Sequence, residues 1–316
     1  MELYITRPMP DRVLDRARAF FNVTLREQNT ALKKGEMRAA LVLYDVVIPT
    51  LGDLFTAEVF DGMEDSRCRL LANFGVGYNH IDVAAARAAG IAVTNTPGAV
   101  TDATADIALM LMLMSARRAG EGERLVRSGH WTGWHPTQML GLHLGAKTCG
   151  IVGMGRIGQA IARRAHYGLG MKVIYHNRSA RALDMPARQV GSLAELMASA
   201  DCVVIAVPGG PETRHLVGEA ELAAMRPHAR LINIARGDVV DEAALIAALQ
   251  AGRIGGAGLD VYEFEPDVPE ALCALENVVL LPHLGTAALD VREEMGLMAV
   301  ENAIAYLEGR DLQNPV

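Results

Sequence analysis

The sequence predicts an α/β protein of two doubly wound parallel-sheet domains, one inserted into the other. Three observations predict it. Short apolar runs alternate with helix-like stretches from end to end, the pattern of successive βαβ units. A chain of 316 residues is long for one core and comfortable for two. A glycine-rich turn at 153–158, of the kind that opens such a sheet, sits in mid-chain, so one α/β series precedes it and a second follows.

In the first series the apolar runs LYIT (3–6), ALVLY (40–44), RLLANF (69–74) and IAVTN (91–95) read as strands, with helix-like stretches around 11–20, 53–60 and 82–89. The segment 101–120, TDATADIALMLMLMSARRAG, is apolar on nearly every face, which predicts a helix buried on all sides. Its Met110, Met112 and Met114 read as core packing. The second series opens with the strand TCGIVG and the helix RIGQAIARRAH, whose Ile157, Ala160, Ile161 and Ala165 share one face. MKVIYH (171–176) is the next strand, and Ser192 with Glu195 predicts a capping box on a short helix. Strands follow at CVVIAVP (202–208), RLINIA (230–235), AGLDV (257–261) and VVLLP (278–282). A helix over 241–251 is ended by Gly252, and the last helix, about 288–308, by Gly309. The inserted domain is placed at 99–284. Residues 1–98 and 285–316 then form the other, with ligands expected in the cleft between the two, beyond the carboxyl ends of the strands.

Composition excludes several function classes. The chain is 51% hydrophobic and 21% charged, and its formal charge of −7 argues against a nucleic-acid surface. The longest strongly apolar run, Ile107 to Met114, falls far short of the ~20 residues that span a bilayer. The opening MELYITRPMP has neither a basic start nor an apolar signal core, so the expected location is the cytoplasm. Cys68, Cys149, Cys202 and Cys273 lack CxxC spacing and read as reduced thiols, with no metal site expected.

The chemistry-bearing motifs lie at predicted strand ends. In Cys149-Gly-Ile-Val-Gly-Met-Gly-Arg-Ile-Gly158 a strand precedes the glycines and an amphipathic helix follows, the context of a Rossmann-like dinucleotide site. Gly153 permits the tight turn, Gly155 lets the backbone approach a pyrophosphate, and Gly158 allows close helix–strand contact. Arg156 and Ile157 stand at the helix start, where free amides attract phosphate. At the end of the second strand, NAD sites usually carry an acid for the ribose 2′-hydroxyl. This chain has Asn177, Arg178 and Ser179 there, with Arg181 close behind. Guanidinium and hydroxyl groups can bind a 2′-phosphate, so NADP(H) is the preferred cofactor, with NAD(H) possible. Arg236 ends RLINIA, where a parallel strand delivers it to the cleft, and a guanidinium can hold a carboxylate bidentately. Glu265 follows the strand ending in DVY, and His283 follows VVLLP. An imidazole of ordinary pKa ~6.5 can donate a proton to a carbonyl oxygen, and a carboxylate can hold the resulting charge state. Hydride transfer to a small 2-keto acid is the chemistry these groups suit together.

In family order, NFGVGYNHIDVAAARAAGIAVTNTPGAVTDATAD, GIVGMGRIGQAIARR, LINIARGDVVDEAAL, GLDVYEFEP and LPHLGTA resemble the D-2-hydroxyacid dehydrogenase family over nearly the whole chain. SGHWTGWHPTQMLG (128–141) and the acid-free YHNRS resemble its glyoxylate/hydroxypyruvate reductases most. The resemblance implies that His283 is the acid/base, Glu265 its partner, and Arg236 the holder of carboxylate and keto oxygen. It implies that the backbone amides of Val76 and Gly77 bind the substrate carboxylate. It also implies that Thr104, Arg156, Ile157, Pro208, Ala235, Asp260, His283 and Gly285 contact the cofactor. Trp131 and Trp134 fall where relatives place a tryptophan in the neighbouring subunit's substrate site, and a homodimer built on the inserted domain is implied. The loop GGPETRHL departs from the Leu-Thr-Pro of many relatives, with a shift of adenosine contacts as the expected effect. His80 reads as structural. Two alternatives stay open: a D-lactate-type or broad 2-keto acid reductase, and a cofactor-sensing corepressor of the same fold.

Overall fold

The computed structural model describes residues 1–63 and 66–316, which divide into two compact units, 1–100 with 287–316, and 101–286. In the first unit β1 (Glu2–Ile5), β2 (Asn22–Leu25), β3 (Val46–Ile48), β4 (Leu70–Ala72) and β5 (Ala92–Thr94) form a parallel sheet of order β2-β1-β3-β4-β5. Both faces are covered. Met37, Leu41, Phe55, Phe60 and Ile81 pack on one, and Val13, Leu14, Ala299, Val300 and Ile304 on the other.

Two expectations fail in this sheet. ALVLY is not a strand: residues Lys34–Leu43 are a helix, and the strand is the β-branched Val46-Val47-Ile48 that follows. The Lys33 amide donates to Glu36 Oε2 at 2.7 Å, which starts the helix. Met37, Ala40 and Leu41 then fall on its buried face and leave Val42 and Leu43 exposed. The edge strand β2 escaped sequence reading because four residues alternating between exposed and half-buried carry little apolar signal.

In the second unit β6 (Thr148–Val152), β7 (Lys172–His176), β8 (Arg188–Gln189), β9 (Cys202–Ile205), β10 (Arg230–Asn233), β11 (Gly256–Leu259) and β12 (Val278–Leu280) are also all parallel. Their order is β12-β11-β10-β9-β6-β7-β8. The order reverses between β6 and β9, the switch point at which doubly wound sheets bind ligands. The unit closes two residues later than the sequence suggested, at Thr286, because Gly285 is tied into it.

The helix over 101–120 also differs from expectation. It runs Thr101–Arg117, Arg118 adopts a left-handed conformation (φ 55°), and a second helix continues over Ala119–Arg127. Met112 is fully buried, yet Met110 and Leu113 are 36% and 41% exposed on one stripe. Cys68, Cys149 and Cys202 are buried free thiols and Cys273 is exposed. Burial pushes the Cys68 and Cys149 thiols up to about 12. Among the described residues no helix is long and apolar enough to cross a membrane.

Candidate active site

The glycine turn is dictated by what surrounds it. Gly153 has φ 97°, and a Cβ there would lie 2.6 Å from the Ala206 carbonyl oxygen at the end of β9. A Cβ on Gly158 would overlap the Gly153 carbonyl oxygen, so only glycine lets the helix Arg156–Arg163 start this close to β6. Gly155 is different: nothing of the protein lies within 4 Å of where its Cβ would be. Its bare backbone leaves open room in front of a helix N-terminus, a cradle that a side chain would fill and that fits a dinucleotide pyrophosphate. Asn177, just after β7, accepts from the Met154 amide at 3.2 Å and donates to the Ser179 carbonyl at 2.8 Å. The Gly153 amide donates to the His176 carbonyl at 3.0 Å. The ends of β6 and β7 are thereby fixed to one another.

Arg236, Glu265 and His283 follow the carboxyl ends of β10, β11 and β12, three successive neighbours in the sheet. His283 Nδ1–H donates to Glu265 Oε2 at 2.8 Å, and the Tyr262 amide donates to Glu265 Oε1 at 3.0 Å. Burial alone would raise the Glu265 carboxyl. The His283 hydrogen bond and charge, the Tyr262 amide and the Arg236 guanidinium outweigh it and hold Glu265 below the ordinary carboxylate value. With Nδ1 engaged, Nε2 is the imidazole nitrogen left to face a reactant.

His283 itself is in the left-handed region (φ 54°), where a non-glycine residue must be held. Asp260 holds it. The carbonyl of Asp260 accepts from the His283 amide at 3.0 Å, and its carboxylate accepts from the Leu284 and Gly285 amides at 2.6 and 2.8 Å. Burial raises the Asp260 carboxyl, against the two amides and the His283 charge that favour its ionised form. Thr104 Oγ1 donates to the Gly285 carbonyl at 3.2 Å, and Tyr262 OH to the Leu281 carbonyl at 2.9 Å, which ties β11 to β12.

Arg236 is half-buried, and burial pulls its guanidinium below the ordinary value against the opposing charges of Glu265 and Asp238. Asn233, fully buried at the end of β10, turns the strand toward it: Oδ1 accepts from the Ala235 amide at 3.0 Å and Nδ2 donates to the Arg236 carbonyl at 2.8 Å. Gly209 gives the arginine stem its path, since a Cβ there would lie 2.5 Å from Arg236 Cγ. Gly237 must be glycine because a Cβ would overlap the Tyr262 carbonyl group. An arginine, a carboxylate and an imidazole on adjacent strand ends, in one unit with a dinucleotide cradle, suit acid/base chemistry on an anionic carbonyl compound.

Residues 109–285 match the family described as D-isomer specific 2-hydroxyacid dehydrogenase, NAD binding domain. The chain belongs to the D-isomer-specific 2-hydroxyacid dehydrogenase family. It is an NAD(P)-dependent dehydrogenase. It is 43% identical over 314 residues to a glyoxylate reductase of Thermococcus gammatolerans, covering 98% of this chain and 93% of that protein. It is 37% identical over 316 residues to a glycerate dehydrogenase of Hyphomicrobium methylovorum, covering 98% and 97%. Among solved structures, an NADPH-dependent glyoxylate/hydroxypyruvate reductase of Sinorhizobium meliloti, in complex with NADP and malonate, superposes with a TM-score of 0.87 at 36% identity. That likeness covers 100% of this chain and 96% of the other.

The remaining predicted positions of this dehydrogenase divide between its two units. At the end of β7, Arg178 Nη1 donates to Glu212 Oε2 at 2.8 Å, and both side chains are exposed. Glu212 belongs to the GGPETRHL loop, so that loop supplies a carboxylate beside the residue expected to meet a 2′-phosphate. Thr213 Oγ1 donates to the Pro208 carbonyl at 2.7 Å and shapes the same loop. Trp131 and Trp134 are 51% and 79% exposed on a segment without helix or strand. Val76 and Gly77 lie in the other unit, in the loop after β4. His80 is buried and donates to Asn73 Oδ1 at 3.0 Å. Sequence reading passed over Asn233, Gly209, Asn73 and Asn95. Their only signal is an amide or glycine placed just beyond an apolar run.

Proposed function

We propose that this dehydrogenase reduces a small 2-keto acid, glyoxylate or hydroxypyruvate, to the 2-hydroxy acid with NADPH. The observation that carries the reading is the 2.8 Å His283–Glu265 hydrogen bond beside Arg236 on adjacent strand ends. With its pyrophosphate at the glycine cradle, a bound dinucleotide would supply hydride to the keto carbon. His283 Nε2 delivers the proton to the keto oxygen as negative charge grows there. Glu265, held ionised by its surroundings, stabilises the imidazolium before that transfer and fixes the ring. Arg236 holds the substrate carboxylate and keto oxygen, and the amides of Val76 and Gly77 bind the carboxylate. Gly153, Gly155, Gly158, Arg156 and Ile157 hold the pyrophosphate. Thr104, Pro208, Ala235, Asp260 and Gly285 line the rest of the nucleotide site.

The preference for NADPH rests on the acid-free end of β7 with Asn177, Arg178 and Ser179. The proposal extends to a cytoplasmic homodimer in which Trp134 reaches the neighbouring subunit's substrate. Glyoxylate, hydroxypyruvate, pyruvate and a bulkier 2-keto acid, each tested with NADPH and NADH, check the reading. Highest kcat/KM for the first two with NADPH is the expected result, and a clear NADH preference overturns the cofactor assignment. His283→Gln turning over at near wild-type kcat removes the imidazole as the acid.

A further inference from the structure

The loop after β4 is held in an unusual way. Asn73, fully buried, donates from Nδ2 to two carbonyls of the loop, Gly75 and Gly77, each at 3.1 Å. Asn95, just after β5, donates from Nδ2 to the carbonyl between them, Val76, at 2.9 Å. The Thr96 amide adds a second bond to the Gly75 carbonyl at 3.0 Å. Three successive carbonyls are therefore all engaged. His80 Nε2–H donates to Asn73 Oδ1, which fixes which end of the Asn73 amide faces the loop.

A trans peptide is planar, so the N–H of each residue points opposite to the carbonyl before it. With the Gly75 and Val76 carbonyls turned onto the two asparagines, the amides of Val76 and Gly77 must point away from them. Among the described residues neither amide donates a hydrogen bond to the protein. Successive unspent amides of this kind make an anion-binding nest. Gly75, at φ 155°, supplies the backbone conformation that admits it.

We infer that Asn73, Asn95 and His80 are positioning residues: they aim the Val76 and Gly77 amides at the substrate carboxylate and so set the affinity for anionic substrates without touching them. This rests on the keto-acid reading above and deepens it. The two asparagines act on the carbonyl side of each peptide, and His80 acts one step further back by orienting the Asn73 amide.

The test is titration of oxalate into the full-length protein, together with steady-state kinetics on glyoxylate. Asn95→Ala, at a half-buried position, is expected to weaken oxalate binding and raise KM by about tenfold, the worth of one such hydrogen bond, with kcat and NADPH affinity near wild type. Asn73→Ala is expected to act in the same direction, since it leaves the Gly77 carbonyl without its bond and the Gly75 carbonyl with the Thr96 amide alone. His80→Gln, which keeps a donor for Asn73, should behave like wild type, whereas His80→Phe should follow Asn95→Ala. Unchanged oxalate affinity in folded Asn95→Ala, or equal loss of kcat and nucleotide binding, overturns the inference. Wild-type protein that neither binds oxalate nor reduces a 2-keto acid overturns the parent reading instead.

Discussion

Glu265→Gln isolates what the carboxylate contributes, because it removes the charge and changes little else in size. The two carboxylate oxygens do separate work: Oε1 accepts from the Tyr262 amide and Oε2 from His283 Nδ1–H. A glutamine has one oxygen and cannot do both. With its oxygen on the Tyr262 amide, its NH2 faces Nδ1 and selects the wrong tautomer. With its oxygen on His283, the Tyr262 amide is orphaned. Replacing a charge-assisted bond by a neutral one costs about 1–1.5 kcal/mol, and an orphaned partner about 1–3 kcal/mol more. The sum, about 2–4.5 kcal/mol, corresponds to a fall of about 30- to 2000-fold in kcat/KM for keto-acid reduction. Steady-state kinetics with glyoxylate measures it, with fluorescence titration of NADPH as the control expected to stay unchanged. The pH profile adds a sign. Glu265 titrates below the ordinary value of 4.5, so its ion pair with His283 survives as pH falls through the usual carboxylate range and is lost only below it. The wild-type acid limb set by Glu265 should lie below pH 4.5 and be missing in the variant. A variant within about twofold of wild-type kcat/KM refutes the reasoning.

Gly237→Ala should push the Arg236 turn off the Tyr262 backbone and lower keto-acid kcat/KM by about 100-fold, the scale of a 1 Å misplacement, while nucleotide binding persists; retained activity would show that the turn can give way. Glu212→Gln releases Arg178 from its exposed pair and should raise kcat/KM for NADPH about two- to fivefold, with NADH little changed. A fall with NADPH would mean that Glu212 helps to hold the nucleotide. Asp201 is buried, which by itself would raise its carboxyl, yet His228, the Thr148 amide and Arg226 bring it below the ordinary 3.8. Its contribution is therefore complete above the unfolded value and lost as pH falls through the depressed one. Asp201→Asn should lower the melting temperature by several degrees at pH 7, for a loss of about 1–3 kcal/mol, with the gap closing below about pH 4. An equal gap at both pH values would assign the loss to packing.

The strands that bear the chemistry were the legible ones. β6, β9, β10 and β11 are buried on both faces, so they read as continuous apolar runs, and a polar residue just past the end of such a run is conspicuous. That is why Arg236, Glu265 and the glycine turn stand out; His283 follows β12, which is only partly buried but equally apolar in sequence. The edge strand β2 and the segment 34–48 were not legible. There the choice between helix and strand is made by a cap at Lys33–Glu36 and by which face the tertiary core accepts. The apolar run 101–120 predicts more burial than occurs for the reverse reason: apolar residues can remain outside, as Met110 and Leu113 do.

By itself the sequence determined residue chemistry, the succession of the fully buried strands and the glycines without which the first turn cannot close. These are local properties, set by periodicity of two or 3.6 and by backbone freedom at single positions. Only the tertiary structure decided which groups meet. It set His283 on Glu265 across 18 positions, and bent His283 into a left-handed conformation held by Asp260. It also placed Glu212 against Arg178 across 34 positions, and turned three loop carbonyls onto Asn73 and Asn95. Such contacts join the ends of separate strands, and parallel order in a sheet, not spacing along the chain, brings those ends together.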